Sequence, residues 1–179
     1  KRLGKLKEFD KARNILHSLI SYADTQSKTV ILQRIKFLWY IEASYHIENE
    51  KFNEAVICFE NSLLKSKELD DVEFQINSLS NLAFIYKYLG DNNKAIIYHE
   101  QALLLSQQTE NIKSQIENAV SLQLINNEIG NLKIANKYAD IVDGLVANVK
   151  NRQELFTYFY EKGRSLYNKS HYQLAELYF

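Results

Sequence analysis

Apolar residues recur along this chain at intervals of three and four, the spacing of one face of a helix. The clearest stretch runs from Leu79 to Leu105. Leu79, Leu82, Ala83, Tyr86 and Leu89 form one stripe, and Ala95, Ile96, His99, Ala102 and Leu103 form another. Gly90 stands between them. Glycine takes the left-handed conformation that ends a helix, and Asp91 suits the cap of the next. The pattern predicts two helices joined by a tight turn.

The same reading extends in both directions. Residues 1–6 read as the tail of a helix. A second helix is expected from Phe9 to about Tyr22, with Ala12, Leu16, Leu19 and Ile20 inward. After a polar connection at 23–27, helical spacing resumes near Lys28 and continues to about Ile47. Residues 48–51 turn the chain into a helix from Phe52 to about Lys67, with Ala55, Phe59 and Leu63 inward. Asp70 or Asp71 suits the cap of the helix leading into the central unit. Thr109 is the expected cap of a helix from about Asn111 to Ile129. Gly130 and Asn131 turn into a helix from Leu132 to about Val149, with Ala135, Ala139 and Val142 inward. Another follows from Gln153 to Asn168, then a turn at Ser170 and His171, and Tyr172 opens a last, cut-off helix.

These helices repeat. Ala55, Ala95, Ala135 and Ala175 stand 40 residues apart, as do Glu50, Gly90, Gly130 and Ser170. Trp39, Leu79, Ala119 and Phe159 keep the interval, and so do Ala43, Ala83, Gln123 and Gly163. Repetition at this length predicts a solenoid, in which each helix pair needs its neighbour to cover its apolar face. Small residues at the helix crossing permit a close approach. Leucine in place of Ala95 is expected to overpack, at a cost of about 1–3 kcal/mol. The organisation expected is one array over residues 1–179: partial repeats at 1–26 and 150–179 flank repeats at about 27–69, 70–109 and 110–149.

These residues resemble the tetratricopeptide repeat family. Leu79, Leu82, Ala83, Tyr86, Gly90, Ala95 and Ala102 fit its pattern of large, small and aromatic positions. Trp39, Ala43, Phe52, Ala55 and Phe59 fit in the preceding repeat, and Phe159, Gly163, Tyr172, Ala175 and Phe179 in the last. The repeat from Asn111 keeps Leu122, Gly130 and Ala135 but has Asn126 at the aromatic position, and His99 also replaces an aromatic. The usual repeat is about 34 residues, and this one is longer. Long-helix versions look like those of kinesin light chains, of bacterial peptide-pheromone receptors and of bacterial sensors fused to DNA-binding or kinase modules. HEAT and armadillo arrays have similar lengths, but the glycine turn and alanine column argue against them. The resemblance implies an all-α, right-handed α-solenoid or superhelix of antiparallel helix pairs.

It also implies a function. The first helix of each pair would line a concave groove that binds an extended peptide or protein segment. The expected lining is Phe37, Tyr40, Asn77, Asn81, Phe84, Lys87, Tyr88, Leu124, Asn127, Tyr160, Arg164 and Tyr167. Asn bonds both the N–H and C=O of a bound backbone, and rings hold its side chains. The carboxylate clamp of chaperone-binding members is not expected, because only Asn81 fits it. A non-enzymatic binding scaffold is the first reading. The alternative is the peptide-sensing regulatory domain of a bacterial signalling or transcription regulator.

Composition narrows the field. Lys plus Arg and Asp plus Glu are both 22, so the net charge is zero. No basic excess points to nucleic acid, and no basic run points to a membrane surface. No segment has the roughly 18 uncharged apolar residues of a membrane span. A cytoplasmic location is expected. Proline is lacking, which suits long helices. Methionine is lacking too, and the chain stops at Phe179 within an apolar pattern, so a piece of a longer protein is expected. Its cut C-terminal end would then self-associate.

Candidate chemistry is sparse. The one cysteine, Cys58, permits no intrachain disulfide and reads as a small buried residue. His17, His46, His99 and His171 fall in different repeats, and no two stand four apart with a carboxylate, so a zinc site is not expected. His46, four residues before Glu50, is expected at the surface, and His99 in the array. Neither a glycine-rich phosphate loop nor Gly-x-Ser-x-Gly nor His-Glu-x-x-His occurs. The charged segments 1–11 and 65–73 read as solvated faces. No cofactor and no catalytic residue is expected.

Overall fold

Helices dominate because nothing in the chain interrupts them and because their ends are strongly marked. The computed structural model describes residues 2–149 and residue 156, with side chains from residue 7 onward. Seven helices lie in that span: α1 (Arg2–Ile20), α2 (Thr25–Glu48), α3 (Phe52–Glu68), α4 (Val72–Tyr88), α5 (Asn92–Gln108), α6 (Ile112–Glu128) and α7 (Leu132–Asn148). No strand occurs among the described residues. The expected helix at 153–168, the turn at Ser170 and His171, and the helix from Tyr172 lie outside the described residues, as do Ala175 and Phe179.

The chain forms two compact units, Lys1–Leu105 and Ser106–Phe179. In the first, α1 packs on α2, α2 on α3 and α3 on α4. Tyr86 of α4 and Tyr98 of α5 stack with centroids 5.5 Å apart. In the second, α6 packs on α7. The protein is an all-α helical repeat in which neighbouring helices pair.

The turns carry a finer period than the 40-residue columns. Glu50, Asp70, Gly90, Glu110 and Gly130 all have positive φ, so the left-handed residue recurs every 20 positions. At each, the next amide donates to a carbonyl five residues back: Lys51 to His46, Asp71 to Ser66, Asp91 to Tyr86, Asn111 to Ser106 and Asn131 to Asn126. This is the Schellman closure, which satisfies carbonyls that the helix end leaves unpaired. Connections within a helix pair and between pairs are thus the same device. Glycine adopts this conformation freely, whereas Glu50, Asp70 and Glu110 hold it at about 1–2 kcal/mol each.

Helices α2, α4, α5 and α6 start on a side-chain cap, whereas α3 and α7 start at Lys51 and Asn131 without one. Asp24 accepts from the Ser27 amide, Asp71 from Phe74, Asp91 from Lys94 and Asn111 from Ser114. Such a cap contributes about 0.5–2 kcal/mol. Thr109 is not the cap of α6. Its hydroxyl donates back to the Ser106 carbonyl, and Asn111, one residue past the left-handed Glu110, has the capping position. Asp24 also starts α2 three residues before Lys28. Residues 2–6 and the stretch from Phe9 belong to one continuous helix, α1.

The small column is the innermost part of each unit. Ala43, Ala55, Ala83, Ala95, Ala102, Ala119 and Ala135 are all buried. In the first unit Phe59, Leu79, Leu82 and Ile85 fill around them, and in the second Ile116, Leu122 and Ile125 do. Leu19 and Leu89, expected inward, are exposed because each sits at the end of its helix. A column of amides accompanies the alanines. The Gln75 and Gln115 side chains donate to the Ser66 and Ser106 carbonyls at 3.4 and 3.0 Å. Each ties the start of one helix to the end of the helix before it. Asn126, at the expected aromatic position, is buried and donates to the Leu122 carbonyl at 2.8 Å.

Candidate functional site

In the first unit, α2 and α4 bring several of the expected groove residues together around Phe74. The ring of Phe74 meets Phe37 at 6.3 Å and Tyr40 at 5.6 Å, both edge-on, and Tyr40 also meets Phe59 at 5.3 Å. Edge-to-face contact of this kind is the favourable geometry for aromatic pairs. Phe37 stays half exposed, at 50 %. Phe74 was not among the expected residues, although it precedes Asn77 by three and Asn81 by seven and so shares their face.

The polar groups on this face divide their bonding in a useful way. Asn81 Nδ2 donates to the Tyr40 hydroxyl at 3.2 Å and to the Asn77 carbonyl at 2.7 Å. Both amide protons are thereby used, and Asn81 Oδ1 remains an available acceptor. The Tyr40 hydroxyl accepts from Asn81 and keeps its own proton to donate. A donor and an acceptor therefore stand side by side on neighbouring helices, next to a half-exposed ring.

Beneath them lies a charged anchor. Lys36 is buried, pairs with Asp71 and sits 3.8 Å from the centre of the Phe74 ring. Burial pushes the Asp71 carboxyl up, but the Lys36 ammonium and the Phe74 amide together hold it below the usual range. Asp71 thus caps α4 and fixes α2 with the same carboxylate, so the two helices carrying Tyr40 and Asn81 are held in register.

The remaining expected residues are placed differently. Phe84 is half-buried and packs against the core. Lys87 is half-buried in the last turn of α4. Tyr88 is 53 % exposed, with its ring 4.2 Å from Phe52 of α3. Leu124 and Asn127 lie on α6 of the second unit, half-buried and exposed respectively. Tyr160, Arg164 and Tyr167 lie outside the described residues.

A second cluster of polar side chains sits between α1, α2 and α3. Arg13 is buried at 6 % exposure, donates to Glu42 and Asp10, and lies 3.7 Å from the centre of the Trp39 ring. Glu42 is buried too. One of its oxygens accepts from Arg13, while the other stands 3.8 Å from His46 Nε2. His46 is 6 % exposed, not at the surface as expected. It stands near the end of α2, where the turn folds α3 back over it. Its Nδ1 has no hydrogen-bond partner, a cost of about 1–3 kcal/mol for a buried polar atom. Cys58 of α3 completes the group. Its buried thiol is pushed up to about 12, chiefly by desolvation and then by Glu42, so it is protonated at neutral pH. Burial likewise keeps His46 below its ordinary value, against the opposing pull of Glu42. The sequence signal for this cluster was the i, i+4 pair of Glu42 with His46.

Among the described residues no helix is long and apolar enough to cross a membrane. Compared with known proteins, the chain matches no family model and no curated protein.

Proposed function

We propose that this chain is a non-enzymatic, tetratricopeptide-type binding module whose α2–α4 face holds an extended peptide or an unstructured protein segment. The observation that carries the reading is the Tyr40–Asn81 hydrogen bond, which leaves the Tyr40 proton and Asn81 Oδ1 as one donor and one acceptor not used by that bond. An extended backbone presents a carbonyl and an amide in alternation. The Tyr40 hydroxyl would donate to the carbonyl, and Asn81 Oδ1 would accept from the amide. Phe37 offers half its ring to a side chain of the ligand, and Phe74 fixes that ring from behind. Anchoring on Lys36–Asp71 means that little ordering is needed when the ligand arrives.

Neutral overall charge fits a ligand recognised by its backbone and apolar groups rather than by charge. The test is selection of peptides from a random library on the full chain, with a photo-crosslinking phenylalanine analogue at position 37. Enriched peptides that crosslink at 37 and are lost with Asn81→Ala support the reading. Enrichment that is indifferent to Asn81→Ala, with crosslinks only elsewhere, overturns it.

A further inference from the structure

We propose that Glu42, His46 and Cys58 form a binding site for one divalent transition-metal ion of the zinc class. The three side chains offer one oxygen, one nitrogen and one sulfur, all within 4.8 Å of one another and all buried. That mixed donor set suits a borderline ion and not a hard one such as magnesium. Tetrahedral zinc, with bonds of about 2.0–2.3 Å, holds its ligands roughly 3.3–3.8 Å apart. Glu42 Oε1 and His46 Nε2 already stand at 3.8 Å. The donors lie at most 4.8 Å apart, so bringing in the third takes a movement of about 1 Å.

A further feature points the same way, the division of the Glu42 carboxylate. Arg13 holds one oxygen and leaves the other turned toward His46. Outer hydrogen bonds that orient a ligating carboxylate in this way are the usual support of a metal site.

The charges balance. Metal entry displaces the Cys58 proton, which leaves to solvent, and the sulfur remains as thiolate. Thiolate and Glu42 carboxylate together neutralise the dication. Arg13 keeps Asp10 as its counter-ion. Water takes the fourth position.

The test is titration of the reduced full chain with cobalt(II) alone. The expected result is saturation at one equivalent, with a near-ultraviolet thiolate-to-cobalt band and the visible bands of a four-coordinate ion, both abolished by zinc. Cys58→Ser should remove the thiolate band and lower zinc affinity at least tenfold, and His46→Gln should lower it similarly. Should the histidine variant not fold, the wild-type titration and Cys58→Ser, which is nearly isosteric, decide the matter. Absence of the thiolate band from folded wild-type protein in excess cobalt overturns the proposal. So does stoichiometric zinc binding that Cys58→Ser leaves unchanged.

Discussion

Arg13 and Glu42 form an ion pair between α1 and α2 in which both side chains are more than nine-tenths buried. Removing one partner of such a pair strands the other in a medium that solvates it poorly. Arg13→Leu should therefore destabilise the protein by about 3–5 kcal/mol. The double variant Arg13→Leu with Glu42→Leu should recover most of that loss, because neither charge is then left alone. Urea denaturation of the two variants and the wild type checks both statements. A double variant as unstable as the single would contradict them.

Acid should weaken the fold in two stages. Burial depresses His46 in the folded state, opposed by Glu42 and Glu54 and aided by Lys51. The unfolded chain then takes up a proton first, near pH 6.5. Stability from the neutral ring is present above that value and falls as pH drops from about 6.5 toward the lower folded value. Asp71, held down by Lys36 and the Phe74 amide against its burial, adds stability above about pH 3.9 that is lost below it. Thermal melts across pH should show both steps, and His46→Gln should remove only the first.

The turns make a prediction of opposite signs. An added Cβ at Gly90 would meet nothing within 4 Å, so the only cost of Gly90→Ala is its positive φ of 81°. That cost should be about 1–2 kcal/mol. Glu110 has φ 54° without the freedom of glycine. Glu110→Gly should stabilise by about 0.5–1 kcal/mol, the relief of strain less the entropy glycine adds to the unfolded chain. Urea midpoints at constant slope check the pair. Two changes of the same sign would mean that the turn geometry described is wrong.

Much of the fold could be read from residue types, because the code for it is local. Ala55, Ala95 and Ala135 sit where their column placed them, at the centre of the packing. Gly90 and Gly130 mark helix ends by what glycine alone does cheaply. Asp70 and Glu110 end helices in the same way, yet their side chains give no sign of it, so the 20-residue period stayed hidden behind the 40-residue one. The site was less legible, for a different reason. Tyr40 and Asn81 lie on a helical face visible in the sequence, but the packing of Phe74 on Tyr40 joins two helices and has no local signal. The Arg13–Glu42 pair spans two helices, and a charged residue considered alone always suits a solvated surface. His46 was judged against Glu50, its neighbour after the turn, whereas the carboxylate that meets it is Glu42 before the turn.

The central claim is that the Tyr40 hydroxyl and the Asn81 carbonyl form one backbone-reading unit. Tyr40→Phe removes a single oxygen and leaves the ring on Phe59 and Phe74. Isothermal titration calorimetry with a peptide selected on the wild type should show affinity lower by about 0.5–1.5 kcal/mol, the net worth of one hydrogen bond, with little change in melting temperature. Equal affinity for wild type and Tyr40→Phe would contradict the account.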